Sequence, residues 1–285
     1  MKKNIIISIV KQMRLGEAFI ICGFVISGYV HALEDGTNFL SKQTLLFFIT
    51  VYLLILSVWL FNSFTGYEED RFNKRLGRTD MVGKNFYLFM TLMTFIISLI
   101  LSFCFSISLA VASFAVFLLW MLYSISWKYK PFTGTSIHLF VQLIQFHLGY
   151  YFLEKQPSVS SLSTAFYLGI LFSAGHLHHE LIDYETDKKT GSNSGAVYLG
   201  RSRAVILCAS VFVVSFLLLF LFYMTGTVVG SFFIPFASAH FLQFLLWFKL
   251  VSENNPAQQK NLITHRAFYR VVFFSAGSLY ILMSI

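Results

Sequence analysis

Residues 166–191 read FYLGILFSAGHLHHELIDYETDKKTG, an apolar run through Gly175 that turns without a linker into a charged one. From His176 onward the stretch holds three histidines, four carboxylates and two lysines. A carboxylate costs roughly 2.5–3.5 kcal/mol at the middle of a bilayer and less toward the interface. Charge this dense, directly after hydrocarbon, marks the end of a membrane helix arriving at the water boundary.

The rest of the chain agrees. Of 285 residues 56% are hydrophobic and 12% charged, with a mean hydropathy of +0.70. Soluble domains carry about a quarter charged residues, so this chain has half the usual complement. Apolar runs near the bilayer-crossing length of about 17–25 residues lie at 16–33, 43–61, 86–103, 105–123, 136–153, 162–178, 204–224, 228–250 and 267–285. Helices are the open structures whose backbone satisfies itself in lipid. The expected fold is therefore all-α, a polytopic membrane bundle of nine transmembrane helices, and 1–285 reads as a single integral-membrane domain. The first run has no convincing cleavage site and is followed by further spans, which reads as a membrane helix and not as a signal peptide. Cys22, Cys104 and Cys208 fall inside apolar runs and form neither a disulfide framework nor a metal spacing.

Charge gives the orientation. Of 21 Lys and Arg residues, only Lys42 and Lys155 fall in the loops after the odd-numbered runs. The positive-inside rule then puts the even-numbered loops and the N-terminus in the cytoplasm, at an inner or plasma membrane. Much of the net charge of +8 is this topogenic signal and calls for no nucleic-acid partner. Carboxylates contribute little to orientation, yet ten of the 13 lie on the same side. Most gather in two groups, NSFTGYEEDRFNKRLGR (62–78) and HHELIDYETDKK (178–189).

At about 100° per residue, His176, Glu180, Asp183 and Asp187 fall within an arc of roughly 60°. Asn62, Gly66, Glu69 and Asn73 share a similar arc, with Asp70 on its flank. Two such oxygen-rich stripes facing each other would suit Mg²⁺, which takes one or two carboxylates plus substrate phosphates. Lys74, Arg75, Arg78, Lys128, Lys130, Lys188 and Lys189 lie on the same side of the membrane. Acid and base interleaved beside a greasy interior match an amphiphilic anion such as an isoprenyl diphosphate. Of the three clustered histidines, His178 points away from His176, which argues against one shared transition-metal ion; support of Asp183, proton handling near the acceptor and simple filling of the interface are the readings that remain.

These motifs resemble those of the UbiA superfamily of intramembrane prenyltransferases, and the resemblance covers nearly the whole chain. Glu180, DYETDKKTG from Asp183 to Gly191, then Leu199 and Gly200 are similar to the family's second acidic motif. Tyr123, Ser124, Lys128 and Lys130 resemble its Tyr-Ser and basic pair, and Arg14 its arginine at the first helix. The first motif departs: two of its three aspartates are Ser63 and Gly66, while Asn62 and Asp70 remain. Glu69, one residue from Asp70, is a candidate to fill the space left at Gly66.

The resemblance implies Mg²⁺-dependent transfer of a prenyl group from an isoprenyl diphosphate to a lipophilic or aromatic acceptor, within membrane lipid. It implies catalytic roles for Asp70, Asp183 and Asp187. Metal contacts would come from Asn62, Glu69, Asp70, Glu180, Asp183 and Asp187. Lys74, Arg78, Lys130, Lys188 and Arg14 would hold diphosphate, and Tyr67, Tyr123 and Tyr184 would stabilise acceptor or cation. Two other readings share the sequence: a cyclase that folds the prenyl cation on itself, and a non-catalytic lipid-binding protein or transporter. Transporters place their sites near the midplane, whereas these charges sit at helix ends.

Overall fold

A computed structural model describes residues 15–33, 41–68, 83–252 and 259–284. Among the described residues the chain is helical throughout, with ten α-helices: α1 Leu15–Ala32, α2 Lys42–Thr65, α3 Lys84–Phe105, α4 Ile107–Ile125, α5 Thr133–Phe152, α6 Val159–Thr190, α7 Gly195–Leu199, α8 Arg201–Met224, α9 Gly230–Ser252 and α10 Gln259–Ser284. All but α7 have 18 residues or more. Seven of these are long and apolar enough to cross a membrane: α1 to α4 and α8 to α10, with mean hydropathy reaching 3.0 in α8.

Of the nine expected spans, these seven meet the criteria of length and composition, and the full count of nine is not confirmed. The exceptions are α5 and α6, and their sequences give the reason. α5 carries Thr133, Thr135, Ser136, His138, Gln142, Gln145 and His147, and α6 carries the charged motif in its last turns. Large apolar side chains stand exposed on the other helices, among them Phe103, Ile107, Ile206, Phe241, Phe248 and Leu282. Apolar surface on this scale is far beyond what a water-soluble monomer leaves open. The chain is an integral membrane protein.

The helices form two compact units, Met1–Trp127 with Leu148–Lys155, and Lys128–His147 with Gln156–Ile285. In the first, α2 packs on α1, α3 and α4. Short hydroxyl contacts sew these helices together: Ser98 donates to the Thr50 carbonyl at 2.8 Å, and Ser102 and Ser113 hydroxyls lie 3.1 Å apart. Phe47 stacks on Phe152 with centroids 4.2 Å apart, and Phe95 on Phe117 at 3.8 Å. Gly149 lies so close to α1 that a Cβ there would overlap the Tyr29 backbone. Ser106 divides α3 from α4: its backbone N–H closes α3 on the Ser102 carbonyl, and its hydroxyl accepts from Leu109 N–H to open α4. This is an N-cap of the ordinary Ser type.

In the second unit α6 packs on α7, α8 and α10, and α9 on α8 and α10. Its core gathers Leu177, Leu181, Ile182, Cys208, Phe212, Leu262 and Tyr269. Ser158 opens α6 with a reciprocal capping box to Ser161. The Ser173 hydroxyl donates to the Thr135 carbonyl at 3.0 Å, holding α5 against α6.

Candidate functional site

α6 is 32 residues long and runs to Thr190, twelve residues past the expected end of its apolar run. Two side-chain contacts at i, i+4 carry the helix through the charged stretch: His176 Nε2 stands 3.1 Å from Glu180 Oε1, and His179 Nδ1 stands 2.8 Å from Asp183 Oδ2. The helix stops where Gly191 turns left-handed at φ 74, and its N–H caps the Asp187 carbonyl. Only a residue without Cβ adopts that conformation at little cost, which accounts for the glycine closing the DYETDKKTG motif.

The loop after Gly191 returns onto the helix end. The Ser194 hydroxyl donates to Asp187 Oδ2 at 2.9 Å, and Ala196 N–H donates to Glu180 Oε2 at 3.1 Å. Gly195 permits this approach, since a Cβ there would meet Glu180 Oε2 at 3.0 Å and Phe132 Cδ1 at 3.4 Å. Phe132 itself holds a left-handed φ of 62, a conformation rare for a bulky residue. Its ring meets Tyr198 edge-on at 6.0 Å. A strained aromatic two residues after Lys130 therefore anchors that basic loop to α7.

The structure thus gathers Glu180, Asp183 and Asp187 on one stripe, as the helical arithmetic requires, and gives them different surroundings. Glu180 is buried, with one oxygen toward His176 and the other bonded to the α7 backbone. In this arrangement it ties the loop to the helix. Asp183 and Asp187 are half-buried and each is oriented by a hydrogen-bonding neighbour. That is how carboxylates serving a metal are commonly supported, and hard oxygens one helical turn apart are the donor type Mg²⁺ takes. Among the described residues no three His, Cys, Asp or Glu side chains gather as a metal-binding group.

Lys188, one residue beyond Asp187, is exposed, as is Lys130. Tyr184 packs beside the second core and lies under the Arg201 guanidinium, 6.0 Å from its ring centroid. Arg201 also reaches Glu185 Oε1 at 3.4 Å. In the first unit Tyr123 meets Trp120 edge-on at 5.5 Å, and Tyr67 tilts against Tyr87 at 6.2 Å. Asn62 accepts the Gly66 N–H at its backbone carbonyl, 2.9 Å away. There α2 ends at Thr65 with Gly66 as its cap. Helical backbone resumes at residues 67–68 directly after Gly66. Arg14, Glu69, Asp70, Lys74, Arg75 and Arg78 lie outside the described residues.

The histidines separate as their spacing foretold. His178 turns into the core, where its Nε2 lies 3.1 Å from His265 Nδ1 of α10. His179 supports Asp183. His176 contacts Glu180 and also His138 of α5, ring centroids 3.9 Å apart. His138, His265, Ser194 and Arg201 were not singled out in the sequence for this site. Ser194 alone carried a local signal, within the TGSNSG loop.

No curated protein matches the chain by sequence. Solved structures of like fold include that of digeranylgeranylglyceryl phosphate synthase (TM-score 0.72, 18% identity, 99% of either chain covered). A UbiA homologue from Archaeoglobus fulgidus bound to GPP and Mg²⁺ aligns with a TM-score of 0.70 at 14% identity over 95% of this chain and 99% of that one. The apo UbiA homologue from Aeropyrum pernix K1 aligns at 0.75 and 13% identity, over 95% and 99%. At such identities these likenesses speak for the fold. The family model of the UbiA prenyltransferases matches residues 21–273, from within α1 to within α10. This chain belongs to the UbiA prenyltransferase family.

Proposed function

We propose that the protein is a Mg²⁺-dependent membrane prenyltransferase that moves a prenyl group from an isoprenyl diphosphate to a lipophilic or aromatic acceptor. The observation that carries this reading is the helix end of α6, where Asp183 and Asp187 stand one turn apart, each braced, within a chain that matches the family over 21–273. That match runs through both compact units, which supports one functional domain over 1–285. The A. fulgidus homologue's GPP and Mg²⁺ support a prenyl diphosphate and a divalent ion as ligands here.

Ionising the allylic carbon–oxygen bond puts charge on the diphosphate oxygens, and fixed positive groups that meet this charge as it develops lower the barrier. Bound Mg²⁺ supplies such charge. In this reading Asp183 and Asp187, with Asn62, Glu69 and Asp70 from the first motif, hold the ion. Lys130, Lys188, Lys74, Arg78 and Arg14 grip diphosphate. Tyr67, Tyr123 and Tyr184 offer ring faces to the allyl cation, each worth about 0.5–2 kcal/mol. Lys130 and Lys188, both exposed, act at the cytoplasmic face of an inner or plasma membrane.

The test is diphosphate release from prenyl diphosphates of several lengths by the purified protein. Release that depends on Mg²⁺ and falls at least a hundredfold in Asp183→Asn is the expected result. Release unchanged in that variant would falsify the assignment. A second reading, cyclisation without an acceptor, draws on Ser63 and Gly66 in the altered first motif; it requires hydrocarbon or alcohol products at full rate when no acceptor is supplied.

A further inference from the structure

α10 holds α6 at three points. The Tyr269 hydroxyl donates to the Gly175 carbonyl at 3.3 Å, His265 Nδ1 lies 3.1 Å from His178 Nε2, and Gln259 Nε2 donates to the Ile182 carbonyl at 3.2 Å. The third bond falls on the peptide group that joins Ile182 to Asp183. Gly175 makes room for the first, since a Cβ there would meet the Tyr269 hydroxyl at 3.2 Å. His178 and His265 are both fully buried, 0% exposed, and Trp247 and Phe212 stand edge-on to the His265 ring. In that apolar enclosure a broken bond finds no water to replace it.

The three points lie where they control the rotation of α6. At about 100° per residue, Gly175, His178 and Ile182 share an arc of roughly 60°. The arc of His176, Glu180, Asp183 and Asp187 is centred about 140° away, on the far side of the helix. α10 therefore takes hold of the back of α6 and leaves the carboxylate face clear. The points span about 10.5 Å of axis, from the end of the apolar run to the residue before Asp183. Hydrogen bonds between helices add little to stability in a bilayer. What directional bonds add is a single register, which apolar packing alone does not enforce.

We propose that Gln259, His265 and Tyr269 are positioning residues: acting through the back of α6, they fix the height and rotation at which Asp183 and Asp187 meet a divalent ion. This rests on the prenyl-transfer reading and deepens it, extending the site to a helix that itself carries no carboxylate.

The experiment reads position and metal use separately. In a background with Cys22, Cys104 and Cys208 replaced by serine, nitroxides are placed on Lys189→Cys and Thr264→Cys, both exposed positions. Pulsed electron paramagnetic resonance on the purified full chain in detergent then gives the distance from the end of α6 to α10. The distance distribution is expected to be at least twofold broader in Gln259→Met, which keeps the side-chain length without the N–H, and in His265→Leu. His265→Asn, whose amide sets a polar atom near the place of Nδ1, restores the native width. In unlabelled protein the Mg²⁺ concentration for half-maximal diphosphate release rises at least fivefold in the first two variants and returns to within twofold in the asparagine variant. Should His265→Leu lose its folded fraction, Gln259→Met carries the test, because Gln259 is exposed at the helix start. A merely structural role lowers the melting temperature and the maximal release while the distance width and Mg²⁺ requirement stay native. That result, or native values throughout, overturns the inference, and so does a broadened distance beside a native Mg²⁺ requirement. Failure of the prenyl-transfer reading would look different: the native protein would show no Mg²⁺-dependent release, and the distance widths would still decide whether α10 fixes the end of α6.

Discussion

The Glu180 Oε2 atom lies 3.1 Å from the Ala196 nitrogen, and Oε1 lies 3.1 Å from His176. A carboxylate spent on both sides has little left for an ion, whereas Asp187 gives Oδ2 to Ser194 and sits half-buried beside Asp183. Glu180→Gln should therefore leave the Mg²⁺ concentration for half-maximal diphosphate release within about twofold of the native value. Asp187→Asn should raise it at least tenfold. A titration of release against Mg²⁺ checks both, and a large shift in Glu180→Gln would return that residue to the metal. Gly195→Ala tests the same contact from the loop side. Its Cβ would press Glu180 Oε2 at 3.0 Å and the Phe132 ring at 3.4 Å, so the loop must yield. Lower release at unchanged detergent solubility is expected, at least fivefold. The stripe itself was legible because a 3.6-residue period fixes which side chains share a face. The division of labour along it was not, since the groups engaging Glu180 and Asp187 arrive from residues 194 to 196, across a turn that no period governs.

Two helices departed from their expected limits, and in each the cause is local chemistry that hydropathy does not measure. α6 outruns its apolar segment because His176–Glu180 and His179–Asp183 staple its last turns and Gly191 closes it. α2 runs four residues past its expected end at 61 and stops at Thr65, where Gly66 caps it. Where packing decides, the sequence is similarly silent: nothing around Gly149 announces that the Tyr29 backbone leaves no room for a Cβ. Gly149→Ala should cost about 1–3 kcal/mol, the usual range for overpacking. Ser98→Ala, which removes one hydroxyl bond to the Thr50 carbonyl, should cost about 0.6 kcal/mol, the average for interhelical hydrogen bonds in membranes. Thermal melts of the two variants in the same detergent check the order: the glycine change lowers the melting temperature more. A larger drop for Ser98→Ala would mean that hydroxyl contacts, and not close backbone approach, hold the first unit together.

For the molecule as a whole, lipid sets the outline and charge sets the direction. Exposed Phe, Ile and Leu on α1, α3, α8 and α10 would be intolerable in water and are what hydrocarbon solvates at no cost. The all-helical bundle was readable for that reason: with backbone groups unable to reach water, a chain this apolar has one open architecture to choose. The number of spans was harder to read, because α5 and α6 combine spanning length with buried Gln, His and Thr, the same residues that make an interior useful for chemistry. The lysines and arginines predict an orientation, and it can be measured. Residues 188 and 189 close the motif at one end of α6, and Gln156 lies just before its other end; Gln156 and Lys189 are both exposed. In a background with Cys22, Cys104 and Cys208 replaced by serine, Lys189→Cys and Gln156→Cys are labelled in intact cells with a charged maleimide that does not cross the membrane. A cytoplasmic site at the motif end requires Gln156→Cys to react from outside and Lys189→Cys to react only after the membrane is opened. The reverse pattern would place Asp183 and Asp187 on the outer face. There the Mg²⁺ and diphosphate that the proposed reaction needs would have to be supplied from outside the cell, and the cytoplasmic assignment would be withdrawn.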